Sequence, residues 1–271
     1  MSSPRPVRFR LTLQYDGSPF CGWQLQPQVP TVQGAIETVI ERISGAPRRV
    51  IGSGRTDSGV HALQQVASVD LPPGWTATKL RSSLNALLPR AIWVQEVRRV
   101  HGGFHPRFDA RERSYLYRVG THPEAASPFH RRWCWVTDDS PPDPELLVAA
   151  AGLIPGERSF RRFAKVGQPQ RGERCHVRDA RWEPWGDLGW EFRIRADRYL
   201  HHMVRYLVGT MVEVARGRRP LEELRTLLDS PETTLVTSPP APPEGLFLSR
   251  VSYDELPDDL TQDCDPPSEN P

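Results

Sequence analysis

Gly52-Ser53-Gly54-Arg55-Thr56-Asp57-Ser58-Gly59-Val60-His61-Ala62 sets the trio Arg55-Thr56-Asp57 among three glycines. Glycine reaches backbone angles closed to other residues and lets a substrate come close to the main chain. The string is not a Walker phosphate loop, because the Gly-Lys-Ser/Thr ending is missing. Nor does it carry the G-x-G-x-x-G spacing that opens a helix in a dinucleotide site. An aspartate in such a loop is ordinarily a turn or capping residue, so taken alone the loop leaves Asp57 open between turn chemistry and catalysis.

On the N-terminal side, Val7, Phe9, Leu11 and Leu13 alternate with polar residues, the period of a half-buried strand. Tyr15 to Pro19 breaks it as a loop. Val32, Ala35, Ile36, Val39, Ile40 and Ile43 recur at helical spacing, with Thr31 placed to cap and Gly45 and Pro47 to stop. Beyond the loop, residues 64–71 read as a strand, Leu80, Leu84 and Leu87 as a helix stopped by Pro89, and residues 92–97 as a strand. The second half repeats the style. It holds a strand at 114–119, a helix at 144–153, and a hairpin of 177–185 with 190–196 around Gly186-Asp187. An amphipathic helix spans Leu200 to Ala215, another carries Leu221, Leu224 and Leu228, and a last strand covers 245–251. Hairpin-like neighbours predict mainly antiparallel sheet, hence an α+β fold, with a boundary between two comparable halves near Gly102 to Arg107.

Charge is unevenly spread. Net charge is +2, yet residues 254–271 hold seven acidic side chains and no Lys or Arg, leaving 35 basic against 26 acidic residues in the rest. That excess suits an anionic partner such as nucleic acid. The acidic, proline-bearing tail is expected to be disordered. The longest apolar runs fall short of the ~20 residues that span a bilayer, and Met1 to Pro6 has no apolar signal core, so a cytoplasmic location is expected. The scattered Cys21, Cys134, Cys175 and Cys264 fit neither a zinc pattern nor a disulfide framework and read as reduced structural thiols.

The string GSGRTDSGVHA resembles the G-x-G-R-T-D-x-G-V-H-A signature of the tRNA pseudouridine synthase A family. The resemblance extends, in the same order, through YDGSPFCGWQ (15–24), TVQGAIE (31–37), NALLP (85–89), FHPRFDARERSYLYRV (104–119), LHHMVRYLVGTMVEVARG (200–217) and APPEGLFLSRVSY (241–253). It implies a pseudouridine synthase fold of two α/β subdomains, 1–104 with the catalytic Asp loop and 105–253, flanking a central cleft and followed by the tail. It also implies a homodimer that binds tRNA and isomerises uridine to pseudouridine at positions 38, 39 and 40 of the anticodon stem-loop. The reaction breaks the N1–C1′ bond, turns the uracil and rejoins it through C5. No atom is gained or lost, so no cofactor is expected.

By this resemblance Asp57 is the nucleophile. A carboxylate, ionised at neutral pH with an ordinary pKa of about 3.9, adds to C6, attacks C1′ or assists elimination to a glycal; these routes stay open. Tyr115 corresponds to the active-site tyrosine, whose ring stacks on uracil and whose hydroxyl handles a proton. Tyr117 shares its strand face at period two, and a packed aromatic is the competing reading for either. Arg205 is expected to hold Asp57 in a two-pronged pair, and Arg55 to displace the target base from its stem, against the alternative of a simple phosphate contact.

His201-His202 invites a metal reading. Adjacent residues diverge by about 100° on a helix and do not face one ion together, so no metal is expected. Phe20, Trp23 and Gln24 fit core and RNA contact equally well. Two rival functions compete with this reading. A binding-only RNA module has no chemical reason to keep Arg55, Thr56, Asp57, Tyr115 and Arg205 together, and a nucleotide hydrolase needs Mg²⁺ ligands and a phosphate-reading lysine. The stretch Cys175-His176-Val177-Arg178 departs from the family pattern and is given no role.

Overall fold

The computed structural model describes residues 5–137, 140–165 and 172–254. The acidic tail beyond Asp254, including Cys264, lies outside them.

In the N-terminal half, β1 (Val7–Tyr15), β3 (His61–Leu71) and β4 (Ile92–Val100) alternate with α1 (Val32–Ser44) and α2 (Ala77–Leu87); β2 (Ile51–Gly52) is a short strand leading into the glycine-rich loop. Helix α1 forms as its caps dictate. The Thr31 side chain accepts from the Gly34 N–H, and Gly45 closes the end in the left-handed region at φ 77°. The C-terminal half contributes β5 (Ala110–Gly120), β6 (Trp135–Val136), α3 (Pro144–Gly152), β7 (Gly156–Ser159), β8 (Arg174–Trp185), β9 (Gly189–Ala196), α4 (Met203–Ala215), α5 (Leu221–Asp229) and β10 (Leu246–Tyr253).

The strands of the described residues join one ten-stranded sheet of order β4-β1-β3-β10-β5-β9-β8-β7, with β2 beside β3 and β6 beside β5. Most pairs are antiparallel, as the hairpin pattern predicts. The parallel exceptions are β10 with β3 and β5 with β6. The chain is therefore α+β.

Strand β10 joins the halves. It is the last strand in sequence, yet it lies between β3 and β5. One row of backbone partners crosses the junction: Ala62 opposes Leu248, Leu248 opposes Tyr115, and Tyr115 opposes Ile194. At about 4.8 Å per strand, this sets Tyr115 roughly 10 Å from the point where the glycine-rich loop enters β3.

Two apolar cores meet at this seam. One gathers Phe9, Leu11, Leu13, Ile36, Ile40 and Val66 with their neighbours on α2 and β4, and takes Leu248 and Val251 from β10. The other gathers Leu147, Phe160, Phe163, Phe192, Leu207 and Met211, and takes Leu246. Tyr115 packs against both. Each fully buried large aliphatic side chain is worth about 1.5–3 kcal/mol, so the seam is anchored from both sides. None of the helices among the described residues is long and apolar enough to cross a membrane.

Candidate active site

The loop that carries Asp57 is fixed by its neighbours. Ser53 N–H donates to the Val66 carbonyl at 2.7 Å, and Gln65 receives the Ser53 hydroxyl at 2.7 Å while donating to the Gly54 carbonyl at 2.9 Å. The Tyr15 hydroxyl bonds the Thr56 hydroxyl at 2.8 Å, and burial pushes the Tyr15 phenol up to about 12. Trp23 N–H donates to the Thr56 carbonyl at 3.0 Å. Phe20 and Trp23 are 6% and 2% exposed. Both are core residues that brace the loop, which decides between the two roles open in the sequence.

The three loop glycines have different reasons. A Cβ on Gly52 would lie 2.6 Å from the Trp23 ring, and Gly59 has φ 78°. At Gly54 the nearest atom to such a Cβ is Arg113 Nε at 3.8 Å. Gly54 is therefore the one of the three with open space at its Cβ position.

Asp57 is partly buried, its side chain 23% exposed. From the other half of the chain, His201 Nε2 stands 3.2 Å from its Oδ1 and His202 Nε2 3.4 Å from its Oδ2. Arg205 Nη1 lies 3.8 Å from Oδ2. The expected Arg205–Asp57 pair is present, but as one arm at the edge of ion-pair range. The two-pronged grip is not formed; Arg205 Nε donates instead to the Ala241 carbonyl at 2.7 Å.

The histidines correct the sequence reading. Helix α4 begins at Met203, three residues later than the apolar period suggests, and His202 caps it with φ 64°. That left-handed turn, rare for a residue with a side chain, brings both imidazoles to the same carboxylate. The argument that neighbouring histidines diverge on a helix does not apply, since neither is on one. Asp57, His201 and His202 offer ligand atoms within 4.8 Å of one another. Burial lowers the His202 pKa, with Asp57 opposing and His201, Arg205 and Lys165 adding to the fall.

Tyr115 and Tyr117 are separated by their environments. Tyr117 is fully buried and its hydroxyl donates to the Pro242 carbonyl at 2.7 Å. Tyr115 is partly buried, edge-on to Tyr199 with ring centroids 4.9 Å apart. Its phenol is pushed well above the ordinary value, first by burial, then by Tyr15, with Asp57 adding and Arg113 opposing. Tyr115 thus lies within the field of Asp57, whereas Tyr117 supports the 239–243 segment. That segment also receives Arg205, and it presses so closely on α4 that a Cβ at Gly209 would meet the Pro239 carbonyl oxygen at 2.2 Å.

Arg55 is exposed, with no hydrogen bond or ion pair to other described residues. In the divergent stretch, Cys175 is buried and the His176 N–H donates to the Asp197 carboxylate at 2.8 Å, so these residues serve the β8 strand.

The sequence model described as tRNA pseudouridine synthase matches residues 12–109 and 150–254. The chain is 38% identical over 251 residues to the tRNA pseudouridine synthase A of Porphyromonas gingivalis, covering 91% of this chain and 97% of the relative. It is 39% identical over 248 residues to that of Rhodospirillum rubrum, covering 91% and 88%. The Chlorobium limicola protein is 39% identical over 249 residues, covering 90% and 98%.

Proposed function

The chain belongs to the tRNA pseudouridine synthase family, and from that premise we propose that it isomerises uridines 38, 39 and 40 of the tRNA anticodon stem-loop, with Asp57 as the nucleophile. One observation carries the assignment. The carboxylate of an otherwise structural loop meets a guanidinium and two imidazoles from the opposite half of the chain.

The roles follow from charge and position. Asp57 supplies the electron pair, to C6 or C1′ of the nucleoside. Arg205 pairs with and orients that carboxylate, and its anchor on Ala241 sets the distance. Tyr115 offers a ring face for the uracil and a neutral hydroxyl. Arg55, exposed and uncommitted among the described residues, is suited to fill the stack that the flipped uridine leaves. The excess of basic residues outside the tail supplies phosphate contacts that weaken with salt. A homodimer, with one tRNA held across both subunits in the cytoplasm, completes the reading.

Chemical mapping of pseudouridine in cellular tRNA, with and without the gene, tests the substrate assignment. Loss of pseudouridine at 38, 39 and 40 alone is the expected result. Unchanged modification there would overturn it.

A further inference from the structure

The geometry points to a binding site for a borderline divalent cation of the Zn²⁺, Ni²⁺ or Cu²⁺ class, formed by His201, His202 and Asp57, whose occupancy takes Asp57 out of catalysis. The inhibition rests on Asp57 being the nucleophile; the binding does not.

The spacing fits the ion. With bonds of about 2.0–2.1 Å, neighbouring ligands of a tetrahedral zinc stand about 3.3 Å apart. His201 Nε2 lies 3.2 Å from Oδ1 of Asp57 and His202 Nε2 3.4 Å from its Oδ2, so each imidazole stands at that separation from one carboxylate oxygen. The rings are tilted by 56°, with centroids 4.1 Å apart, and the two imidazoles and the carboxylate offer ligand atoms within 4.8 Å of one another. Each imidazole would present its Nε2 lone pair and carry its hydrogen on Nδ1. Two histidines and one carboxylate leave a fourth position for water, the composition of an open rather than a closed zinc site. All three side chains are partly exposed, at 33, 19 and 23%, so an ion can enter.

Charge sets the selectivity. The Arg205 guanidinium, 3.8 Å from the carboxylate, opposes any cation. An ion that forms directional bonds to imidazole offsets this repulsion. Mg²⁺, which seeks oxygen ligands and keeps its waters, does not. The strained turn at His202 aligns the ligands before the ion arrives.

The test is a titration of the chelator-treated full-length protein with Co²⁺, in the absence of RNA. One equivalent is expected to give the intense visible bands of low-coordinate Co²⁺, displaced by Zn²⁺ and unaffected by Mg²⁺. H201Q, H202Q and D57N should each weaken binding by at least the roughly 10- to 100-fold known for loss of a metal's outer-shell partners. Zn²⁺ should abolish turnover at the concentration that fills the site, and chelator should restore it. Absence of the bands in the wild-type protein would overturn the inference, as would unchanged affinity in the H201Q/H202Q double variant or full turnover with the site filled. Loss of turnover in metal-free D57N upholds the role of Asp57 separately, so a negative metal result leaves that role intact.

Discussion

Nη1 of Arg205 stands 3.8 Å from Oδ2 of Asp57, while Nε of the same guanidinium is spent on the Ala241 carbonyl at 2.7 Å. The arginine is thus held by backbone and reaches its carboxylate with one arm. Lysine keeps the charge and loses the anchoring donor. Arg205→Lys should lower kcat at least about tenfold, or 1.4 kcal/mol, and cost about 1–2 kcal/mol of stability from the lost bond. Single-turnover kinetics and urea unfolding check the two parts; a wild-type rate would remove Arg205 from the mechanism.

The two tyrosines of β5 should separate cleanly. Tyr117→Phe leaves the Pro242 carbonyl without its buried donor and should destabilise by about 1–3 kcal/mol without altering kcat. Tyr115→Phe should lower kcat with little loss of stability. Because burial holds the Tyr115 phenol above its ordinary value, it stays protonated through pH 10. Any alkaline fall in rate below that pH should therefore persist unchanged in Tyr115→Phe, and its disappearance would contradict the assignment.

His61 makes a prediction about acid. Its ring is 1% exposed, packs against both Trp133 and Phe247 with centroids 4.9 and 4.7 Å away, and accepts the Gly17 N–H at Nδ1 at 2.9 Å. Burial lowers its pKa, with Asp16 opposing. The unfolded chain then binds the proton first, so stability is complete above the unfolded value of about 6.5 and falls as pH drops below it. Denaturant unfolding between pH 5 and 8 should show that slope, and His61→Gln should reduce it. A slope of opposite sign would refute the depressed value.

Glycine substitutions divide structure from chemistry. A Cβ at Gly17 would sit 2.0 Å from the Val60 carbonyl oxygen, so Gly17→Ala should lose several kcal/mol or fail to fold, beyond the roughly 1–3 kcal/mol of ordinary overpacking. Gly54→Ala meets nothing closer than 3.8 Å and should keep its Tm. If uracil comes close to the main chain at Gly54, turnover falls nonetheless; thermal scans paired with kinetics decide.

Arg55→Ala should leave stability within about 0.5 kcal/mol, as for an uninvolved surface residue. Its effect should be larger on a uridine inside a folded anticodon stem than on the same uridine in an unstructured strand. Equal losses on both would make Arg55 a phosphate contact instead.

Much of this was legible because local rules sufficed. Thr31 and Gly45 bound α1 as capping chemistry requires, and the alternation of Val7 to Leu13 continues to Tyr15 as β1. What escaped was set by distant contacts or by a single torsion. Short β2, β6 and β7 carry too few residues to show a period. The parallel pairing of β10 with β3 joins positions far apart in the chain. At α4, Leu200 fits the apolar period, so the helix reads three residues too long, and the left-handed turn at His202 that brings two imidazoles to Asp57 leaves no mark in composition. Asp57, Tyr115, Arg205 and Arg55 were legible as a motif, whereas the one-armed geometry of Arg205 depends on Ala241, thirty-six residues later.

Tritium release from 5-tritiated uridine in tRNA, measured for Asp57→Asn beside the wild-type enzyme, tests the central claim most directly. The substitution keeps the shape of the side chain and removes its charge, so turnover should vanish while tRNA affinity stays within about threefold, as expected when a transition-state group is lost and uniform binding is kept. Clear residual release at undiminished affinity would show that the carboxylate is not the nucleophile.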